Sequence, residues 1–188
     1  MDIIELVDLV RRAQNGDEVA FGQIYDDFAP RIFRYVKLKI QHPPDAEDVL
    51  QEVFIKAYKG LGSLDMDKLN FSAWLYKIAS NTINDHFRKR YRTPEVTAID
   101  EKFDAPSNYS LEKDFMVKWD WDAAKAAFLQ LPPLYRQVLE LRFEQQFTID
   151  EVAEIIGKSN LSIRLIQHRA LKKIRFILKD YDLQPRKI

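Results

Sequence analysis

The sequence contains no cysteine, only five glycines and three histidines. Without cysteine there are no disulfides, thiolate zinc sites or cysteine nucleophiles. So few glycines argue against glycine-rich phosphate loops and against an all-β fold with many tight turns. His42, His86 and His168 lie far apart and match no metal-ligand spacing. No apolar run approaches the roughly 20 residues of a membrane span. The opening Met1-Asp2-Ile3-Ile4-Glu5 carries acids where a signal peptide would carry positive charge. The expectation is a cytoplasmic protein without membrane insertion and without a cofactor or metal. The chain also lacks a net charge, with 29 basic and 29 acidic residues. Bulk electrostatics therefore give no hint of a nucleic-acid partner; any hint must come from how the charge is distributed.

What is present is helical periodicity. The 188 residues are 46% hydrophobic and 31% charged, the balance of a globular protein. Ile3, Leu6, Val7, Val10 and Ala13 share one helical face. Asp17 is placed as an N-cap, and a stripe of Phe21, Ile24, Tyr25, Phe28, Ile32, Val36 and Ile40 follows. Pro30 interrupts that stripe and predicts a kink or break. After a His42-Pro43-Pro44 turn, Ala46, Val49, Leu50, Val53, Phe54, Ala57 and Tyr58 form a complete apolar face over about 45–60. Residues 60–70 read as a loop. Phe71, Trp74, Leu75, Ile78, Ala79 and Ile83 predict a helix over about 71–90. The pattern then lapses over 91–110 and resumes from Leu111. The fold expected is all-α: two small helical domains, 1–92 and 111–188, joined by a flexible acidic linker, 93–110.

Charge is partitioned along the chain. Between Phe71 and Arg92 the bases Lys77, Arg88, Lys89, Arg90 and Arg92 face a single acid, Asp85. Between Thr93 and Asp122 eight acids outweigh three bases, and from Lys158 onward nine bases outweigh two acids. Two basic segments around an acidic one suit two DNA contacts separated by a stretch that avoids DNA.

The second basic segment has a recognisable local chemistry. Thr148-Ile149-Asp150-Glu151 is a capping box. Ile149, Val152, Ala153 and Ile156 form the inner face of a short helix, and Gly157 stands where a left-handed residue ends it. Ser159 or Asn160 caps the next helix. Two helices joined by such a turn form the helix-turn-helix pattern. Along the second helix Ile163, Ile166, Ala170, Ile174 and Ile177 point inward. Ser162, Arg164, Leu165, His168, Arg169 and Lys172 project outward, as a major-groove reader requires. A helical hairpin with a solvated basic face is the plainer reading; the turn chemistry and the basic excess favour DNA.

Two outer stripes complete the picture. Asp48, Gln51, Glu52, Ile55 and Lys59 line up opposite a full core face, and the isoleucine among polar groups reads as an anchor for a partner. Lys77, Asn81, Asn84 and Arg88 line up beside Tyr76 and Ser80, amides and cations suited to unpaired bases and phosphates. Asp45-Ala46-Glu47-Asp48-Val49-Leu50-Gln51-Glu52-Val53-Phe54-Ile55-Lys56-Ala57-Tyr58 resembles region 2.2 of bacterial RNA polymerase sigma factors. Phe71 to Asn81 is similar to regions 2.3 and 2.4. Leu131-Pro132-Pro133, Arg136, Val138, Leu141, Arg142 and the helix-turn-helix are similar to region 4. No region 1.1 or full region 3 is evident, which points to the extracytoplasmic-function (ECF) group of the sigma-70 family.

The resemblance implies specific roles. Asp48, Gln51, Glu52, Ile55 and Lys59 would dock on the clamp of the largest subunit of core RNA polymerase. Phe71, Trp74 and Asn81, with loop 61–70, would receive a base extruded from the −10 element of promoter DNA. Lys77, Asn84, Arg88, Lys89 and Arg90 would hold the adjacent strand. Ser159, Ser162, Arg164, His168, Arg169 and Lys172 would meet the −35 element. The acidic linker would thread toward the active-site and RNA-exit channels, and an anti-sigma factor is a further candidate partner. One departure stands out: where the family has a small-Thr-Val-Lys-Ser-Arg run, this chain has Leu161-Ser162-Ile163-Arg164-Leu165-Ile166, followed by Gln167. A helix-turn-helix repressor or activator with an N-terminal dimerisation or effector domain is the alternative. A metal-dependent nuclease built on Asp45, Asp48 and Glu52 is a remoter one.

Overall fold

The structure is a computed structural model, described for residues 1–65, 70–90 and 121–182. Every regular element among them is helical: α1 (Ile3–Gln14), α2 (Glu18–Lys37), α3 (Pro43–Gly60), α4 (Phe71–Arg90), α5 (Trp121–Leu129), α6 (Pro133–Leu139), α7 (Ile149–Ile156) and α8 (Asn160–Asp182). A short 3₁₀ turn, Leu61–Ser63, follows α3, and a π turn, Glu140–Glu144, extends α6. The linker expected over 93–110 and the helical pattern expected from Leu111 to Trp119 lie outside the described residues. None of the described helices is long and apolar enough to cross a membrane.

Local chemistry sets most helix ends. Asp2 caps α1 by accepting from the Glu5 amide at 2.8 Å, and Asp17 caps α2 by accepting from Ala20 at 3.0 Å. Pro43 occupies the first turn of α3, where a missing N–H costs nothing. Pro30 does not break α2, which runs unbroken from Glu18 to Lys37. Its ring is exposed, and the carbonyl it leaves unbonded belongs to the exposed Asp26, where water can serve it.

The N-terminal core gathers Val10, Ala20, Ile24, Ile32, Val36, Ala46, Val53, Leu75, Ala79 and Ile83, all fully buried or nearly so. Several expected core positions are more exposed than the pattern predicts, Tyr25 (38%) among them. Ile3 is 80% exposed, because α1 buries Leu9, Val10 and Ala13 instead. Tyr58 is also exposed, at the rim of α3, and Leu50 is only half-buried.

Helices α5, α6 and α8 enclose a second apolar cluster of Ala127, Leu131, Leu139, Ala170, Leu171, Ile174 and Leu178. The two domains pack against each other along a seam. Val138, Leu141, Phe147, Val152, Ala153, Ile155, Ile163 and Ile166 continue the N-terminal core without a gap, and α4 packs on α7.

Candidate functional site

The outer face of α3 meets α2 in a shallow, open groove of about 530 Å³. Its lining is Glu18, Phe21 and Tyr25 from α2, with Gln51, Phe54, Ile55, Tyr58 and Lys59 from α3. Ile55 is 53% exposed there. Edge-to-face ring contacts hold the floor: Phe21 to Tyr58 at 4.9 Å and Tyr25 to Phe54 at 4.6 Å between centroids. The stripe expected from the sequence thus contributes Gln51, Ile55 and Lys59 to the groove, while Asp48 stands exposed one turn earlier. Glu52 turns aside to accept from Lys56 at 2.9 Å, and that bond, outweighing partial burial, holds its carboxyl below the usual range. The aromatic contribution of Phe21, Tyr25 and Tyr58 was hidden in the sequence, because all three continue core stripes. The readable signal was their spacing: Phe21 lies three residues after Glu18 and four before Tyr25, and Tyr58 lies three after Ile55.

Helix α4 carries the second stripe. Asn81 is exposed and Asn84 half-buried. Each cation expected to hold a nucleic-acid strand already has an acidic neighbour. Lys77 pairs with Glu154 of α7, Arg88 with Asp85, Lys89 with Glu52 at 4.0 Å, and Arg90 with Asp45. Asp45 also faces His42 and His86. Hydrogen bonds from His42 and Arg90 keep its carboxyl below the usual range despite desolvation. Asp45, Asp48 and Glu52 show no convergence on a common point, and no group of three potential metal ligands occurs among the described residues.

Two positions on α4 are not where the stripe pattern puts them. Tyr76 and Ser80, expected beside the outer stripe, are 1% and 4% exposed. The Tyr76 ring lies 5.3 Å from Phe147 of the C-terminal half and 5.2 Å from Tyr35 of α2. Phe71 is 2% exposed, packed edge-on against Phe28 at 5.4 Å and beside Trp74 at 5.5 Å. It is a core residue in this arrangement. Trp74 is half-buried over Gly60, where a methyl group would come within 3.3 Å of the indole.

The C-terminal helix pair is built as its sequence chemistry demands. Glu151 donates no proton but accepts twice from Thr148: from its amide at 2.8 Å and its hydroxyl at 3.0 Å. The Thr148 oxygen in turn accepts from the Glu151 amide, closing the capping box. Gly157 adopts φ +73°, ψ +41°, the left-handed turn that redirects the chain. Ser159 caps α8, accepting from the Ser162 amide at 3.2 Å, and their hydroxyls share a hydrogen bond at 2.9 Å. Arg164 and Lys172 stand exposed along α8; His168 and Arg169 are half-buried. Ile155, unremarked in the sequence pattern, is 2% exposed and completes the inner face of α7.

With this geometry in place, the similarities to known proteins can be weighed. Residues 24–93 match the Sigma-70 region 2 family and residues 127–175 the Sigma-70 region 4 family. The chain is 32% identical to the ECF RNA polymerase sigma factor BldN of Streptomyces coelicolor, over 95% of this chain and 68% of that one. It is also 32% identical to the RNA polymerase sigma-H factor of Pseudomonas aeruginosa, over 94% and 93% of the two chains. The chain belongs to the ECF sigma factors. As an ECF sigma factor it binds core RNA polymerase and directs promoter-specific initiation, and it is not an enzyme. That sets aside both the independent regulator and the nuclease. Among solved structures, this sigma factor resembles RpoE in complex with the anti-sigma factor NepR from Bartonella quintana. The TM-score is 0.60 and the identity 25%, covering 85% of this chain and 96% of that one.

Proposed function

We propose that the ECF sigma factor divides initiation among three surfaces. The α2–α3 groove docks core polymerase through Gln51, Ile55 and Lys59, with Asp48 and Glu52 at its flank. Helix α4, with Asn81, Asn84, Lys77 and the Arg88-Lys89-Arg90 end, and with Trp74 and Phe71 near the preceding loop, engages the −10 element. Helix α8 engages the −35 element through Arg164 and Lys172, supported by Ser159, Ser162, His168 and Arg169. Residues 1–92 form the first functional domain, 93–110 the connector and 111–188 the second. The protein works in the cytoplasm, beside its polymerase, and an anti-sigma factor of the NepR kind is a partner of the same surfaces.

The observation that carries this reading is Ile55: a large apolar side chain, 53% exposed, in an open aromatic-lined groove. Water contact there is costly, at roughly 25 cal/mol per Å² of apolar surface, and a partner relieves it. Charged and amide groups at the rim give the contact its register. Affinity of fluorescently tagged chain for core polymerase tests the assignment. A Gln51/Glu52/Ile55 triple alanine should bind at least about tenfold more weakly, a loss typical of truncated interface anchors. Unchanged affinity would remove the groove from the account.

A further inference from the structure

We propose, resting on the reading of α8 as the −35 surface, that Leu161 and Leu165 read thymine methyl groups, so that part of the −35 element is recognised through apolar contacts in the major groove. Ile163, Ile166 and Ala170 are buried and fix the inner face of α8. Most polar side chains of its first two turns are engaged within the protein. Asn160 donates to Asp150 of α7. The Ser159 and Ser162 hydroxyls share a hydrogen bond at 2.9 Å, and Ser159 also accepts from the Ser162 amide at 3.2 Å. Gln167 accepts from Arg142 at 3.2 Å. Leu161, Arg164, Leu165 and His168 are left along the outer face, at i, i+3, i+4 and i+7. Leu161 is 61% exposed, and Leu165 is half-buried one turn later. Half of what this face presents to a base edge is therefore hydrocarbon.

A major-groove edge offers hydrocarbon one matching group. Adenine, guanine and cytosine present hydrogen-bonding atoms there, whereas thymine adds a 5-methyl group to its O4 acceptor. A leucine against that methyl removes apolar surface of both partners from water. The same leucine against cytosine covers the N4 amino group, which then loses water without gaining an acceptor. Each leucine thus favours thymine by attraction and disfavours cytosine by desolvation. Leu161 and Leu165 are about 6 Å apart along the helix axis, which is roughly two base-pair steps at about 3.4 Å each. Their targets are two thymines close together, on either strand. Arg164, between the leucines, and Lys172, further along the helix, are exposed cations that hold phosphates and fix the register. From Lys158 onward nine bases outweigh two acids, and that excess makes an anionic duplex the occupant this face fits.

The test uses the full chain as holoenzyme with core polymerase. A promoter is first selected by the holoenzyme from duplexes randomised over both elements. Deoxyuridine, which lacks only the 5-methyl group, then replaces thymidine at each −35 position in turn. The selected element should hold thymine at two nearby positions. Deoxyuridine at either should weaken binding about fourfold, the factor that corresponds to one methyl-sized group left unburied. Leu161→Ala should erase the thymine–uracil difference at one of these positions, Leu165→Ala at the other, and the double alanine at both. Each variant is compared with itself on two templates, so a general loss of folding or affinity does not imitate this result. An element without such thymines, equal wild-type binding to thymine and deoxyuridine templates, or alanine variants that keep the wild-type ratio would overturn the proposal. Failure of the −35 reading itself looks different: scrambling the whole element would leave wild-type binding unchanged. If only the methyl contacts are wrong, the scrambled template binds more weakly while deoxyuridine has no effect.

Discussion

Arg142 and Gln167 are tied together: the Arg142 Nε donates to Gln167 Oε1 at 3.2 Å, and its Nη1 donates to the Phe147 carbonyl. One guanidinium therefore links the π turn, the segment leading into α7 and the middle of α8. Gln167 is the residue that follows the chain's departure from the family's recognition-helix run. Ile166 beside it is 2% exposed, a core side chain. Ile166 is thus part of the core, and Gln167 is committed to an internal bond. Arg142→Ala should lower unfolding free energy by about 1–3 kcal/mol, because a half-buried carbonyl and amide lose their partner together. Urea unfolding followed by circular dichroism measures it, and a change below about 0.5 kcal/mol would deny Arg142 this bracing role.

The turn of the helix-turn-helix makes a second, sharper prediction. Gly157 has no atom within 4 Å of an added Cβ, so Gly157→Ala meets no clash and reports backbone strain alone. At φ +73° that strain should cost about 1 kcal/mol. Thr148→Ala removes the cap and should cost about 0.5–2 kcal/mol. The two sites lie at opposite ends of α7, so the double variant should show nearly additive losses in the same urea experiment.

Glu140 gives the packed form a pH dependence. Burial first, then the neighbouring Glu144, push its carboxyl up to about 7 from an ordinary 4.5, against the pull of Arg34 and Gln145. Tyr35 and Tyr76 face it from α2 and α4, and both hydroxyls are raised above their ordinary value, chiefly by burial. A carboxyl that holds its proton more tightly when packed favours the packed form at low pH. The stabilisation is complete below about 4.5 and is lost as pH rises through about 7. Thermal melts should therefore show higher stability at pH 5.5 than at pH 7.5 from this group, and Glu140→Gln should flatten that difference. A wild-type profile unaltered by Glu140→Gln would contradict the burial argument.

The parts of this molecule that were legible in sequence are those fixed by local chemistry. The capping box at Thr148, the left-handed Gly157 and the Asp17 cap depend on neighbours within a few residues. The apolar faces of α3, α7 and α8 follow the helical repeat. What periodicity could not reveal is the seam. A helix buried on two sides has no polar face to mark the second one, so Tyr76 and Ser80 read as surface although both are buried. Ion pairs such as Lys77–Glu154 and Arg34–Glu144 join residues 77 and 110 positions apart, beyond the reach of any local pattern. The groove was half legible: Ile55 declared itself among polar neighbours, whereas Phe21, Tyr25 and Tyr58 merged with the core stripes they extend.

Run-off transcription with purified core polymerase measures all three surfaces at once, on paired promoter templates that keep or scramble the −35 element. The wild type should give promoter-specific transcript, stronger where the −35 element is intact. The Gln51/Glu52/Ile55 triple alanine should lose transcript on both templates. An Arg164/Lys172 double alanine should lose only the advantage of the intact template. Wild-type transcript from the triple alanine, or equal losses from the α8 variant on both templates, would contradict the assignment of separate surfaces to polymerase and to the upstream element.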